Sequence, residues 1–163
     1  VERGLLSTDD ADLRLKKVAL TLVPLIIGPF AFVWGAIYFL LDHPISGSIP
    51  MTYSIISAAS LSYFFKTKNT QFIQYSQLTL VLLLPFMPMW SLGGFALSSF
   101  MFIWAFFAPL TSIIHEKTSK TSYWLYSFIS LVVFSAVIDP WLIENKTNPL
   151  TQTQIEFFFV LNI

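Results

Sequence analysis

Cysteine is absent from the chain. That excludes disulfides, thiolate metal sites and a cysteine nucleophile, and it leaves the redox compartment unread. Charge is scarce: only 11% of the 163 residues are Asp, Glu, Lys or Arg, against about 25% in soluble domains. A soluble globular domain is therefore disfavoured. There are two histidines, His43 and His115. No phosphate-cradling glycine loop, G-x-S-x-G or H-E-x-x-H signature is present. There is no internal repeat and no low-complexity segment. A secretory leader is not expected, because Glu2, Asp9, Asp10 and Asp12 spoil the positive start and the first apolar run is too long.

Apolar length is what the chain has instead, with 55% hydrophobic residues and 17 Phe. Asn69 to Ile114 runs 46 residues without a charged side chain, enough for two membrane helices of about 20 residues each. Ser91-Leu92-Gly93-Gly94 supplies the reversal between them, because glycine tolerates positive φ. Gln71–Trp90 is read as one crossing and Phe95–Ile114 as the next, with Trp90 as an interface anchor.

The remaining crossings follow from the same criterion. Ser7 to Asp10 would cap a lead-in helix from Ala11. Residues 1–16 are taken as cytoplasmic and residues 17–163 as the membrane domain. The first crossing is Val18–Leu41, with Pro24 and Pro29 inside it and Gly28 and Gly35 offering close helix approach. Asp42 to Pro50 reads as a turn. Met51–Phe65 is a short second crossing whose Ser54, Ala58 and Ser62 make a small-residue packing ladder. Pro85 and Pro88 predict a bend in the third crossing. Thr121–Ile138 is the fifth crossing, ended by Asp139-Pro140, with a polar loop over 141–154. Ile155–Ile163 begins a sixth crossing that the chain cuts short. The fold class expected is thus an all-α integral membrane bundle of five full transmembrane helices plus a truncated sixth. Eight of the nine Lys and Arg residues fall on one side (Arg3, Arg14, Lys16, Lys17, Lys66, Lys68, Lys117 and Lys120) and only Lys146 on the other. The positive-inside rule then predicts a cytoplasmic N-terminus in a multi-pass plasma (inner) membrane protein.

Asp42, Asp139 and Glu156 share the outer side. Each alone reads as a solvated helix-end charge, and Glu156 suits a helix N-terminus. Together they are the candidate metal site, since carboxylates brought close repel one another unless a divalent cation sits between them.

Several segments carry a family resemblance: Leu15-Lys16-Lys17, Pro29 to Tyr38, Ser48-Ile49-Pro50, Gln74-Tyr75-Ser76-Gln77 and Leu84-Pro85-Phe86. Trp90 to Phe95, Trp104 to Leu110, Phe157-Phe158 and Leu161-Asn162 extend it. Together they resemble the six-helix N-terminal membrane domain of bacterial class III adenylate/guanylate cyclases. The resemblance implies a membrane anchor and receptor domain, a homodimer, and a fused C-terminal cytoplasmic signalling domain that makes cyclic nucleotide. The cyclase's own metal-binding and substrate-selecting residues lie outside this chain, so no enzymatic activity, resident cofactor or nucleic-acid partner is expected of it. The alternative is a small-solute transporter or channel subunit, suggested by the prolines and serines within helices. An intramembrane enzyme is a third reading, weakened by the scarcity of ionisable groups at depth.

Overall fold

The computed structural model describes residues 10–115, 118–146 and 148–162. Every regular element among the described residues is a helix, with no strand among them. In α1 (Ala11–Leu40), Asp10 caps the N-terminus by accepting the Leu13 N–H at 2.7 Å, so the capping expectation holds. At 30 residues α1 is about 45 Å long, and it passes the expected boundary at 16 and 17 without a break. Of the lead-in segment, residues 1–9 lie outside the described residues.

α2 (Pro44–Thr67) begins seven residues before the position expected. Pro44 occupies the first turn, where its missing N–H costs nothing, so Asp42 to Pro50 is not a loop. Only Leu41 to His43 turn the chain, with Asp42 at φ 61. α1 and α2 form the most extensive helix pair. Gly35 and Gly47 let them meet: a Cβ on Gly35 would lie 2.7 Å from the Gly47 carbonyl oxygen. Gly28 serves no such purpose, as nothing lies within 4 Å of a Cβ there.

α3 (Thr70–Leu83) is capped by Asn69, which accepts the Phe72 N–H at 3.1 Å. α4 (Phe86–Leu92) follows after the predicted proline interruption. Leu84 and Pro85 keep right-handed helical angles, so α3 and α4 continue as one apolar stretch from Thr70 to Leu92. Gly93 and Gly94 then reverse the chain at φ 102 and 109, as the sequence predicts.

The return does not form the full helix expected over Phe95–Ile114. Residues 95–100 are turns, Met101–Phe106 is a 3-10 helix, and only α5 (Phe107–His115) is α-helical. α6 (Thr118–Glu144) runs straight through Asp139-Pro140, the expected stop. A proline after several helical turns loses one hydrogen bond without ending the helix when its own φ already suits it. α7 (Gln152–Asn162) starts three residues before Ile155.

Three described helical stretches are long and apolar enough to cross a membrane: Leu13–Leu40, Thr70–Leu92 and Thr121–Glu144. They match the first, third and fifth of the five full crossings expected. α2 has the length, with 24 residues, but falls short in apolarity. Met101–Ile113 is a shorter apolar helix. The core gathers where α4, the 3-10 helix and α7 meet α1, around Tyr38, Phe86, Met89, Leu92, Met101 and Phe158.

Candidate functional site

The buried face of α2 repeats with alternate steps of four and three: Ser46, Pro50, Tyr53, Ser57, Ser60, Phe64. That is the spacing of a coiled-coil seam. Four of these six side chains carry a hydroxyl. In an apolar surround such groups turn inward, because lipid offers them no partner. The seam finds its partners on α3 and α4. Ser91 donates to the Pro88 carbonyl at 2.8 Å, so in the 2.7 Å contact of Ser46 with Ser91 the donor is Ser46. By the same logic Ser76 donates to the Ile73 carbonyl at 3.0 Å, so Ser60 donates across the 2.6 Å contact with Ser76. Ser57 donates to Gln77 Oε1 at 3.1 Å. Two polar atoms of the seam are buried without a partner, the Tyr53 hydroxyl and Gln77 Nε2. The ladder expected from Ser54, Ala58 and Ser62 is not this face. Ala58 and Ser62 are exposed, and only Ser54 reaches α1, donating to the Gly28 carbonyl at 2.7 Å.

A second cluster closes the end of the bundle that carries Gly93 and Gly94. Asp139 Oδ1 on α6 accepts the Phe95 N–H at 2.9 Å, the first donor after the two glycines. The carboxylate acts as a cap supplied from another helix. A Cβ on Gly94 would collide with it. Ser99 and Phe100 both adopt left-handed angles, φ 57 and 55, a strained pair for residues with side chains. α7 holds them. Ser99 Oγ donates to the Ile155 carbonyl at 2.7 Å, Asn162 Nδ2 donates to the Ser99 carbonyl at 3.1 Å, and Trp104 Nε1 donates to Asn162 Oδ1 at 3.2 Å. Tyr38 stacks on Phe158 with ring centroids 4.8 Å apart, tying α1 to α7. Trp90 Nε1 donates to Ser135 Oγ at 2.9 Å, so this indole is an internal α4–α6 tie rather than an interface anchor.

The three candidate metal ligands are held apart in separate roles. Asp139 serves Phe95. Asp42 is exposed, and its carbonyl accepts from Asn148 Nδ2 at 2.9 Å. Glu156 Oε1 accepts from Gln152 Nε2 at 2.9 Å, one turn back on α7. Among the described residues no three His, Cys, Asp or Glu side chains lie together as metal ligands would. His43 is buried beside Asp42. Burial lowers its imidazole pKa below 6.5, and the Asp42 charge opposes that in part.

Sequence reasoning missed Ser57, Gln77, Ser99 and Asn162. The four-three spacing of hydroxyl residues from Ser46 to Ser60 was the available signal for Ser57, and it does not reach Gln77 on α3. Nothing local marks the second pair, which pairs residues 63 apart. No protein-family model, curated protein or solved structure matches the chain. The likeness to cyclase membrane domains stands on the residues quoted for it.

Proposed function

We propose that this chain is a multi-pass membrane anchor and receptor module that relays a state of its outer end through α7 to a fused cytoplasmic output, as the resemblance to cyclase membrane domains implies. In this reading α2, the 3-10 helix with α5, and α7 complete the crossings begun by the three long apolar helices, the N-terminus is cytoplasmic, and the module works as a homodimer. The observation that carries it is the latch at Gly93–Phe106. A strained segment of turns and 3-10 helix is gripped by one carboxylate from α6 and by Asn162 and a backbone carbonyl of α7. The segment is closed by its own turn hydrogen bonds and tied to α6 and α7 at Phe95 and Ser99, so a change at the turn is felt by α7.

The test is a chimera in which a cyclase catalytic domain, active only as a dimer, follows Ile163 in a bacterium lacking its own cyclase. The native module is expected to support cyclic nucleotide output. Asp139→Ala, made at equal membrane level, is expected to change that output about five-fold, the lower range of allosteric couplings. Output equal to that of an unrelated membrane anchor, and indifferent to Asp139→Ala, rejects the reading. The hydroxyl seam of α2 favours a second reading, a small-solute transporter or channel subunit. Solute flux in proteoliposomes that is lost in Ser57→Val would support that one instead.

A further inference from the structure

Where α1, α3 and α5 meet, they leave a cavity of about 80 Å³. Its walls are mostly apolar, with Leu20 and Val23 from α1, Val81 from α3 and Phe107 from α5. Three polar side chains stand in that wall, Gln74 and Gln77 from α3 and Thr111 from α5, and the last two carry the argument. Gln77 is 3% exposed, its Oε1 is taken by Ser57, and its Nε2 has no acceptor. A buried amide N–H left unmade costs about 1–3 kcal/mol. Thr111 faces it from α5. Its hydroxyl proton goes to the Phe107 carbonyl at 2.6 Å, so Oγ1 keeps lone pairs to accept with. Gln77 therefore presents a donor without a partner and Thr111 an acceptor with lone pairs to spare, in a wall that apart from them and Gln74 is apolar.

That pairing selects its occupant. A cation finds no carboxylate and an anion no positive charge among the residues in the wall. A pure hydrocarbon fills the space but leaves Gln77 Nε2 unmet. A hydroxyl meets both needs, because its oxygen accepts from Gln77 and its proton is free for Thr111. Size limits the rest. A cavity of about 150 Å³ holds benzene, so about half that volume suits a molecule of roughly four heavy atoms. Phe107 is exposed at the rim, so the opening is reached from the apolar flank of the bundle. We propose that this cavity is a binding site for one small neutral hydroxylic molecule, hydrogen-bonded to Gln77 and Thr111. A short-chain alcohol dissolved in the bilayer or a water molecule supplies that chemistry. The proposal holds whether or not the module signals.

The experiment follows the Gln77 side-chain amide by NMR in the native chain, in nanodiscs, during titration with 2-propanol, and with xenon as the apolar comparator. A saturable shift of the Gln77 amide with 2-propanol, about five-fold weaker binding in Gln77→Leu as expected for one lost hydrogen bond, and no binding when Val23→Phe fills the cavity assign an alcohol site. No response to 2-propanol, together with water cross-relaxation at the Gln77 amide that Val23→Phe removes, assigns the hydroxyl to water. Neither signal in the native chain overturns the proposal. So does binding of 2-propanol and xenon to Gln77→Leu as tightly as to the native chain, which reduces the cavity to an apolar gap. If Val23→Phe does not fold, the native titration and the water measurement still decide.

Discussion

Gly94 and Asp139 show how one backbone angle and one carboxylate depend on each other. Gly94 sits at φ 109, a region that costs a residue with a side chain about 1–3 kcal/mol, and a Cβ there would also displace the carboxylate that caps Phe95. Gly94→Ala is expected to lower stability by about 2 kcal/mol or more on these grounds. Asp139→Ala strands the Phe95 N–H and is expected to cost about 1–3 kcal/mol. Asp139→Asn keeps an acceptor oxygen and should lose less. Thermal unfolding in one detergent compares all three. His43 gives a pH dependence whose sign is fixed. Its folded pKa lies below its unfolded value of 6.5, so below that pH the unfolded chain binds a proton that the folded one refuses. Stability is complete above about 6.5 and falls as the pH drops through that value toward the folded pKa. The unfolding temperature is expected to fall on mild acidification, and His43→Gln to flatten that limb of the curve.

At the level of elements, α2 explains why patterning by hydropathy alone misleads here. From Ser46 to Ser60 its inward face carries Ser46, Pro50, Tyr53, Ser57 and Ser60 while Ile45, Ile55, Ile56 and Ala58 are exposed beside Ser48 and Thr52, and only at its far end do Leu61 and Phe64 turn inward. In water that would be inverted. In lipid it is the expected sense, since hydroxyls need partners and isoleucine does not. Gly35 and Gly28 separate packing from mere composition on α1. Gly35→Ala forces its Cβ against the Gly47 backbone, which cannot rotate away. It should cost about 1–3 kcal/mol, the range for overpacking. Gly28→Ala meets nothing within 4 Å and should be neutral or slightly stabilising, since alanine is the better helix former. Unfolding of both variants in mixed micelles gives the contrast directly. Asp139-Pro140 teaches the opposite lesson about breakers. The pair reads as a stop, yet α6 continues four residues beyond it to Glu144.

For the whole molecule, the structure gathers one set of loops at one end. Asn148 bonds to Asp42, Ser46 to Ser91, and a Cβ on Gly93 would lie 3.2 Å from Lys146 Cβ. Basic Lys66 and Lys68 lie at the opposite end of α2 from Ser46. Because the chain has no cysteine, single cysteines report sidedness without background. Lys146→Cys is expected to react with an impermeant thiol reagent in intact cells, and Thr67→Cys only after permeabilisation. The reverse pattern would invert the proposed orientation.

The sequence by itself determined the all-helical class, the apolar stretches, the Asp10 cap, the Gly93-Gly94 reversal and the proline interruption before Phe86. Each is a short-range matter of side-chain hydropathy, φ preference or a missing N–H, and neighbours within a few residues settle it. Tertiary structure decided what no local window contains. It turned the expected helix over Phe95–Phe106 into turns and a 3-10 segment, where Ser99 and Phe100 take left-handed angles and the Ser99 carbonyl accepts from Asn162 on α7 instead of from its own turn. It gave Asp42, Asp139 and Glu156 three different neighbours, although all three share one side by count. It also selected Ser57 and Ser60 over Ala58 and Ser62 as the inward face of α2. Helical periodicity ranks faces by hydropathy, and here the choice was made by which hydroxyls found Gln77 and Ser76 across the gap.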